Sequence, residues 1–418
     1  MSTITNEPIL LDSTGREMLN KMDRMNGLLA MIAEGKRSEV YSNISQVASI
    51  VRGNSLEENI KLFPVGDQII VPWKDMDDSN HNTDETAYQV IFNIGHHEMV
   101  TLETGEEVPG MFLQFHHCSP YGVQFSHQQA FLNCPDGLVA GTYIVGLASN
   151  WGTHAVGDTE WAFTLTQDVP AGGRLSGFEG MPDQASSNWR VKSWATPDAA
   201  EPIETVTVTQ ATDGTAGTKL GTMPLNNPDE ETGLNCMQSV AYGHNRWKTS
   251  ALRQYLNSSG TDWWKSQEDF DIRPDQYAKS AFMSGFSDDF LNAIKPIKVQ
   301  TALNTVEGYT NTYDVTYDRF FPLSLEQMYV VPQIEGEGAY WEYWRSRLGV
   351  STPVAQYGTY PNLITTGINN PSTAQGVRLR SAYRGYSYGT WLVSTSGLVY
   401  GGTGASYAYR FSPACVIC

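Results

Sequence analysis

The first apolar pattern along the chain has the spacing of an α-helix. Apolar residues four and three positions apart in turn form one line of a helix that we predict over residues 12–34: Met18, Met22, Met25, Leu29 and Ile32. Such a line is typical of a coiled-coil seam, and it continues in a second predicted helix, from Val40 to Val51, that Gly53 ends. We therefore predict that residues 1–60 form a helical segment for oligomerisation or attachment. A helical hairpin packed on its own domain is the alternative, since Leu19 and Leu28 widen the apolar stripe.

The pattern changes to short strands from about residue 63. Five runs alternate in the manner of strands and are separated by turn residues: Gln68–Pro72, Tyr88–Ile94, Met111–Phe115, Gly141–Gly146 and Glu160–Leu165. Several short strands at this spacing are typical of a β-sandwich. We predict a β-rich, sandwich-like domain over residues 61–200.

The remaining chain mixes helical and strand patterns. An amphipathic helix is predicted at Arg246–Asn257, with Trp247 and Tyr255 along one apolar line. From about residue 377 to the end the pattern is β-like again. We therefore predict that the fold class is α+β and that residues 201–418 form a ligand-binding domain.

The charge of the chain limits its partners. The net charge is −18, whereas nucleic-acid binding draws on clustered Lys and Arg, so we expect no nucleic-acid partner. No apolar run approaches about 18 residues, so we expect no membrane insertion. The first residues lack the layout of a signal peptide, and we expect synthesis in a host cytoplasm.

Histidines cluster in the predicted β-rich domain, where Cys118 accompanies them: His96, His97, His116, His117 and His127. A hairpin that turns near residue 105 places His97 opposite His116 and His96 opposite His117, with His127 or Cys118 to complete a metal site. Adjacent histidines on a strand point to opposite faces, so at most half of them converge. We therefore expect no bound metal and keep a metal-dependent enzyme as a minor alternative.

Other candidate chemistry is sparse. The sequence contains no nucleophile elbow, zinc-protease motif, P-loop or dinucleotide fingerprint. The CxxC spacing of Cys415 and Cys418 lacks a second CxxC, and buried, inert thiols are favoured for the cysteines. We expect a protein that is not an enzyme, with no catalytic residues and no cofactor.

The last forty residues have an unusual composition. Between Tyr383 and Tyr409, Tyr, Ser, Gly and Thr dominate, and Arg384 is the one charged residue. Antibody paratopes use these residue types, because Tyr supplies large rigid contacts while Ser and Gly adapt. An ordinary edge hairpin is the alternative, and the interleaved aromatic residues argue against a merely flexible loop.

A hairpin is predicted from Trp391 to Gly401, with Gly397 in the left-handed position of a three-residue loop. This register pairs Leu392 with Tyr400, and Ser394 with Leu398. Trp391, Val393 and Val399 then share the core face. Leu392, Ser394, Leu398 and Tyr400 share the outer face, where apolar residues mark an interaction site.

Two motifs carry a resemblance to a known family. They are NRWKTSALRQYLN at Asn245–Asn257 and RFSPACVI at Arg410–Ile417. Together they resemble a family of phage and gut-bacterial proteins of uncharacterised function whose C-terminal domain has the C-type-lectin fold. Residues 378–418 are also similar to the variable region of proteins diversified by retroelements, such as phage major tropism determinants. The resemblance covers roughly residues 219–418.

The resemblance implies that some C-terminal residues form a scaffold and that others are displayed for ligand binding. The scaffold positions are Arg380, Trp391, Val393, Val399 and Ser412–Ala414. The displayed, ligand-binding positions are Tyr386, Ser387, Gly389, Leu392, Ser394, Leu398, Tyr400, Gly401 and Thr403. The calcium signatures of sugar-binding lectins are absent from the sequence.

The function implied is host attachment. We expect a virion protein of a phage tail or fibre that binds a protein or glycan on a bacterial surface and forms a homo-oligomer, with a trimer expected first. A structural virion protein, whose Tyr/Gly segment makes subunit contacts, is the alternative.

Overall fold

The computed structural model describes most of the chain after residue 40. The described residues are 41–75, 86–126, 129–134, 136–147, 160–169, 171, 173–176, 186–192, 204–211, 214–223, 237–240, 243–265, 267, 274, 277, 280–306 and 309–418. The predicted helix at 12–34, with its apolar line, lies outside the described residues, as does His127.

The α-helices of the described part are short. They are α1 (Ile44–Gly53), α2 (Leu56–Leu62), α3 (Ala251–Leu256), α4 (Asp288–Ala293) and α5 (Glu342–Leu348). Short 3-10 helices lie at Trp247–Thr249, Phe282–Gly285 and Pro361–Leu363. The apolar face of α1, with Val47 and Val51, is buried in the main core. This part of the predicted N-terminal segment therefore packs on its own domain, which was the alternative prediction.

The strands are also short, apart from β2. In chain order they are β1 (Gln68–Asp75), β2 (Thr86–Thr101), β3 (Glu107–Phe115), β4 (Val123–Gln124), β5 (Gln129–Cys134), β6 (Gly141–Leu147), β7 (Glu160–Leu165), β8 (Gly173–Ser176), β9 (Ser186–Lys192), β10 (Glu204–Ala211), β11 (Thr218–Met223), β12 (Met237–Val240), β13 (Ile297–Ala302), β14 (Tyr313–Asp318), β15 (Phe321–Pro322), β16 (Thr365–Gly367), β17 (Asn370–Gln375), β18 (Val377–Ala382), β19 (Gly389–Val393), β20 (Val399–Gly404), β21 (Ala408–Tyr409) and β22 (Pro413–Ile417). The predicted α+β class is confirmed.

A five-stranded sheet joins the early and the last parts of the chain. Its order is β1-β2-β3-β22-β15, and β3 pairs antiparallel with β22, so that Leu113 lies beside Cys415. The main core draws accordingly on residues 41–125 and 247–418. This differs from the predicted division at residue 200, because β1, β2 and β3 share a sheet and a core with the C-terminal region.

The strands β5 to β12 form a separate sheet, in the order β11-β6-β7-β10-β9-β8-β5-β12. The buried apolar side chains described in this region are not part of the main core: Leu138, Tyr143, Ile144, Ala162, Leu165 and Val169. The chain leaves the main core at Ser126 and returns at Gly243, and the Ser126 hydroxyl donates to the carbonyl of His244 at 2.9 Å. The β-rich unit is therefore an insertion, residues 129–240, whose two ends meet.

The two motifs that carry the family resemblance lie in the main core. Ser250, with extended backbone, caps α3 by accepting from the Arg253 amide at 3.1 Å, and it divides the predicted helix in two. Trp247 and Arg253 both donate to the fully buried Asp318, at 2.9 and 2.7 Å. In the terminal motif, Ser412 donates to the carbonyl of Phe115 at 2.7 Å. Both motifs therefore have structural roles.

Candidate binding surface

The Tyr/Gly-rich segment forms the hairpin that its sequence predicts. Strands β19 and β20 pair Leu392 with Tyr400 and Val393 with Val399. Gly397 closes the loop with a φ of +82°, and the Ser394 amide donates to the carbonyl of Leu398 at 2.9 Å. The predicted register and the left-handed glycine are both confirmed.

The core face of the hairpin is also as predicted. Trp391, Val393 and Val399 are buried, and the indole nitrogen of Trp391 donates to Gln333 Oε1 at 3.3 Å. The other proposed scaffold positions, Arg380 and Ser412–Ala414, are buried as well. These residues therefore hold the segment in place.

The outer face differs from the prediction at Leu392, which is buried. Strand β18 lies along β19 and places Arg378 opposite Leu392. Gly376 and Tyr409 cover the leucine, since a Cβ at Gly376 would contact both side chains. Leu392 is thus enclosed by neighbours that the hairpin pattern alone does not include.

Five of the nine predicted binding positions are therefore not displayed: Ser387, Gly389, Leu392, Gly401 and Thr403 are buried. An added Cβ at Gly401 would overlap the Tyr383 ring, and one at Gly389 would overlap the backbone of Gly402 and press on Tyr383. Ser394 and Leu398 are half-buried. Tyr386 and Tyr400 are exposed, so the accessible part of the predicted site is smaller than expected.

The exposed tyrosines belong to a continuous aromatic group. Tyr386 stacks on Tyr388 at 5.2 Å between ring centroids and contacts Tyr383 at 5.1 Å. Trp391 lies 5.6 Å from Tyr383 and 5.4 Å from Tyr357. We call the exposed rings of Tyr357, Tyr386 and Tyr400, together with the half-buried Tyr383 between them, the tyrosine surface.

Tyr383 and Tyr357 of this surface are not among the nine predicted binding positions, and Tyr357 lies outside the predicted segment altogether. The segment that carries it pairs with the edge of the hairpin, since the Tyr357 amide donates to the carbonyl of Val399 at 2.9 Å. Its backbone has a φ of +59°, which is uncommon for a residue other than glycine. A signal was present in the sequence, because Tyr357-Gly358 and Tyr360 repeat the Tyr/Gly composition of the last forty residues.

Two buried polar side chains hold loops at the tyrosine surface and beside it. Asn245, which opens the first motif, donates to the carbonyls of Tyr386 and Gly389, both at 2.7 Å. It also accepts from Asn304 at 2.9 Å. The loop at 383–389 is therefore fixed to the core by a side chain that lies 141 residues before Tyr386 in the sequence.

Arg378 fixes the second loop. Its guanidinium donates to the carbonyls of Gly404 and Tyr407, at 3.0 and 2.8 Å, and to the hydroxyl of Thr390. It also lies over the Tyr409 ring. Burial lowers the pKa of Arg378 to about 9. Asn245 thus holds the loop that bears Tyr386, and Arg378 holds the neighbouring loop that ends β20.

The Tyr357 phenol of this surface is uncharged at neutral pH. Burial, followed by the hydrogen bond with Tyr383, raises the pKa of the Tyr357 hydroxyl above its ordinary value. Neutral phenols present an apolar ring with a polar tip, which suits contacts with a ligand that is partly apolar and partly hydroxylated or amidic.

The predicted histidine pairing is wrong. The turn, with Gly105 at a φ of +84°, joins Thr101 to Glu107, so His97 lies opposite Met111 and not opposite His116. His97 Nε2 is 2.7 Å from the carbonyl of Phe63, and His116 Nδ1 is 3.1 Å from Asn93 Oδ1. Burial lowers the pKa of both imidazoles.

The described residues therefore offer no support for the metal alternative. Among them, no three His, Cys, Asp or Glu side chains are grouped to hold an ion. The described thiols of Cys118, Cys415 and Cys418 are free and buried, as predicted. Burial raises the pKa of Cys118 and of Cys418 to about 11, so both are poor nucleophiles.

Comparison with known proteins finds one similarity, which covers the C-terminal part of the chain. Residues 231–418 match a family described as a domain of unknown function (DUF6273). The match contains β12 to β22 and the whole tyrosine surface, and it leaves out the strands β1, β2 and β3 that complete the main sheet. No curated protein and no solved structure has significant similarity to the chain. Within the part of the chain described, no helix is long and apolar enough to cross a membrane.

Proposed function

We propose that this protein is a phage-type receptor-binding protein that presents the tyrosine surface to a protein or glycan on a bacterial cell. The observation that carries the proposal is the surface itself, on which Tyr357, Tyr386 and Tyr400 are 51, 46 and 44% exposed. Exposed aromatic groups of this kind mark interaction sites. A few such anchors carry most of the energy of an interface.

The C-type-lectin-like fold is part of the same proposal. It rests on the two motifs described above, which both lie in the core that supports the tyrosine surface. A place in the virion, in a tail or fibre, follows from the same resemblance. If residues 378–418 are diversified, we expect the variation at those of the nine predicted binding positions that reach solvent, which are Tyr386, Ser394, Leu398 and Tyr400.

The proposal is tested by removing the exposed rings. The variant combines Tyr386→Ser and Tyr400→Ser with Tyr357→Asn, because asparagine tolerates the left-handed backbone of residue 357. Labelled full-length protein is added to a panel of intact gut-bacterial isolates, and binding is measured by flow cytometry. We expect the parent to bind some isolates, and we expect the variant to bind those isolates at least about tenfold more weakly.

The matched control removes apolar groups of similar exposure elsewhere: Ile60→Gln, Ile70→Thr and Val315→Thr. We expect this control to bind as the parent does, and all three proteins to melt within a few degrees of one another. A folded tyrosine variant that binds like the parent contradicts the proposal. A variant that loses oligomeric mass and keeps cell binding supports a structural role in the virion instead.

A further inference from the structure

A cavity of about 200 Å³ lies where the end of β2 meets β13. The lining includes Glu98, Val299, Phe321, Gln327 and Arg380. No residue of the tyrosine surface lines it. A space of this size holds far more than one water molecule, for which about 10–15 Å³ is enough.

Two cationic side chains, Arg380 and Lys298, line this cavity, and the buried one is held by the protein itself. Arg380 is buried, and one of its terminal nitrogens donates to the carbonyl of Pro322 at 3.1 Å and to Gln327 Oε1. The other donates to the carbonyl of Glu337. Its Nε has no acceptor and is shielded from solvent. Arg380 therefore presents little to an anionic ligand.

The negative charge is available to a ligand. The Glu98 side chain makes no hydrogen bond or ion pair within the described residues and lines the cavity. Glu337, by contrast, accepts from the amide of Ala302 at 2.9 Å and from the hydroxyl of Ser381. Burial, opposed by Arg380, raises the pKa of Glu98 to about 7. A cation at this carboxylate would restore the interactions that burial removes.

The rest of the lining is partly apolar. Val299 and Phe321 provide hydrocarbon walls, and the Gln327 amide, whose oxygen accepts from Arg380 and from the Ser324 amide, contributes to the polar part. An inorganic cation gains nothing from the apolar walls. A cation that carries a short carbon chain uses both the carboxylate and the walls.

We propose that this cavity binds a small organic ammonium ion, with its nitrogen at Glu98 and its alkyl part against Val299 and Phe321. The site is independent of the tyrosine surface, so either proposal can fail while the other stands. The chemical class is an aliphatic primary amine in its protonated form.

The probe is butylammonium chloride, titrated into the full-length protein and followed by saturation-transfer NMR. Butanol and butyrate are the neutral and anionic probes of the same length. We expect saturable binding of butylammonium in roughly the millimolar range, and at least about tenfold weaker binding of the other two.

Glu98→Gln keeps the shape of the side chain and removes its charge, so we expect it to weaken butylammonium binding at least about tenfold. Glu106→Gln, in the exposed turn after β2, is the matched control and should bind as the parent does. The tyrosine variant should also bind butylammonium normally.

The pH dependence gives a second measurement. Glu98 faces Arg380, Glu337 and Lys298 around the cavity, and with a pKa of about 7 it ionises mainly between pH 6 and pH 8. Butylammonium stays charged over this range, so its affinity should rise about tenfold in the parent and stay flat in Glu98→Gln. Equal binding of butanol, preferred binding of butyrate, or an unchanged Glu98→Gln variant would overturn the proposal.

Discussion

Asn245 shows how one side chain sets the geometry of a distant surface. Its amide serves the carbonyls of Tyr386 and Gly389 and accepts from Asn304. We expect Asn245→Ala to lower the free energy of unfolding by about 1–3 kcal/mol, because buried carbonyls lose their donor. Urea unfolding measures this change. The exposed Asn362→Ala should cost less than about 0.5 kcal/mol, and equal losses for both variants would contradict the role of Asn245.

Substitutions on the two faces of the β19–β20 hairpin should change the free energy of unfolding by very different amounts. Trp391 is fully buried against Tyr357 and Tyr383, so Trp391→Ala should cost about 3–5 kcal/mol. Tyr400→Ala, on the exposed face, should change stability by about 0.5 kcal/mol or less. Calorimetric melts of both variants test the assignment. A stable Trp391 variant beside an unstable Tyr400 variant would show that the two faces are exchanged.

Glu98 predicts a dependence of stability on pH. Its pKa is about 7 in the folded protein and 4.5 ordinarily, so between these values the folded state binds more protons than the unfolded state. This contribution to stability is therefore present below about pH 4.5 and is lost as the pH rises to about 7. Because Glu98 is partly exposed, we expect Glu98→Gln to stabilise the protein by only about 1–2 kcal/mol at pH 8. At pH 4.5 the gain should be near zero, and thermal melts at both values decide.

At the scale of elements, the insertion is a separate unit that the main core should not need in order to fold. The chain leaves the main core at Ser126 and re-enters it at the neighbouring Gly243. The apolar side chains described in the insertion, residues 129–240, are not part of that core. We expect replacement of residues 127–242 by a short Gly/Ser linker to leave the remainder folded, with a cooperative thermal transition. Circular dichroism measures the transition. A chain that is unfolded or aggregated after this replacement would show that the insertion supports the core.

The individual strands predicted from local pattern agree with the structure, whereas the predicted grouping of those strands into one sheet structure does not. The predicted strands at Gln68–Pro72 and Glu160–Leu165 lie within β1 and β7, because alternation and turn residues are local signals. Their assignment to one sandwich does not hold, since β1 belongs to the main sheet and β7 to the inserted one. Strand pairing depends on contacts between distant residues, which a local pattern does not contain.

At the scale of the whole molecule, the oligomeric state stays a prediction. The apolar line from Met18 to Ile32 has the spacing of a coiled coil, whereas α1 already uses Val47 and Val51 within its own core. We expect light scattering to give a multiple of 46.3 kDa for the full chain and a monomer after deletion of residues 1–40. A monomeric full chain at micromolar concentration would contradict the prediction.

The sequence by itself determined the α+β class, the hairpin register from Leu392 to Tyr400 and the burial of Trp391, because these follow from periodicity and turn chemistry within a few residues. Only the tertiary structure decided that Leu392 is enclosed, that Tyr357 joins the exposed rings and that β3 pairs with β22. The physical reason is the same in each case. Exposure and sheet partnership depend on which distant segments pack together, and a hydrophobic pattern specifies a face without naming what covers it.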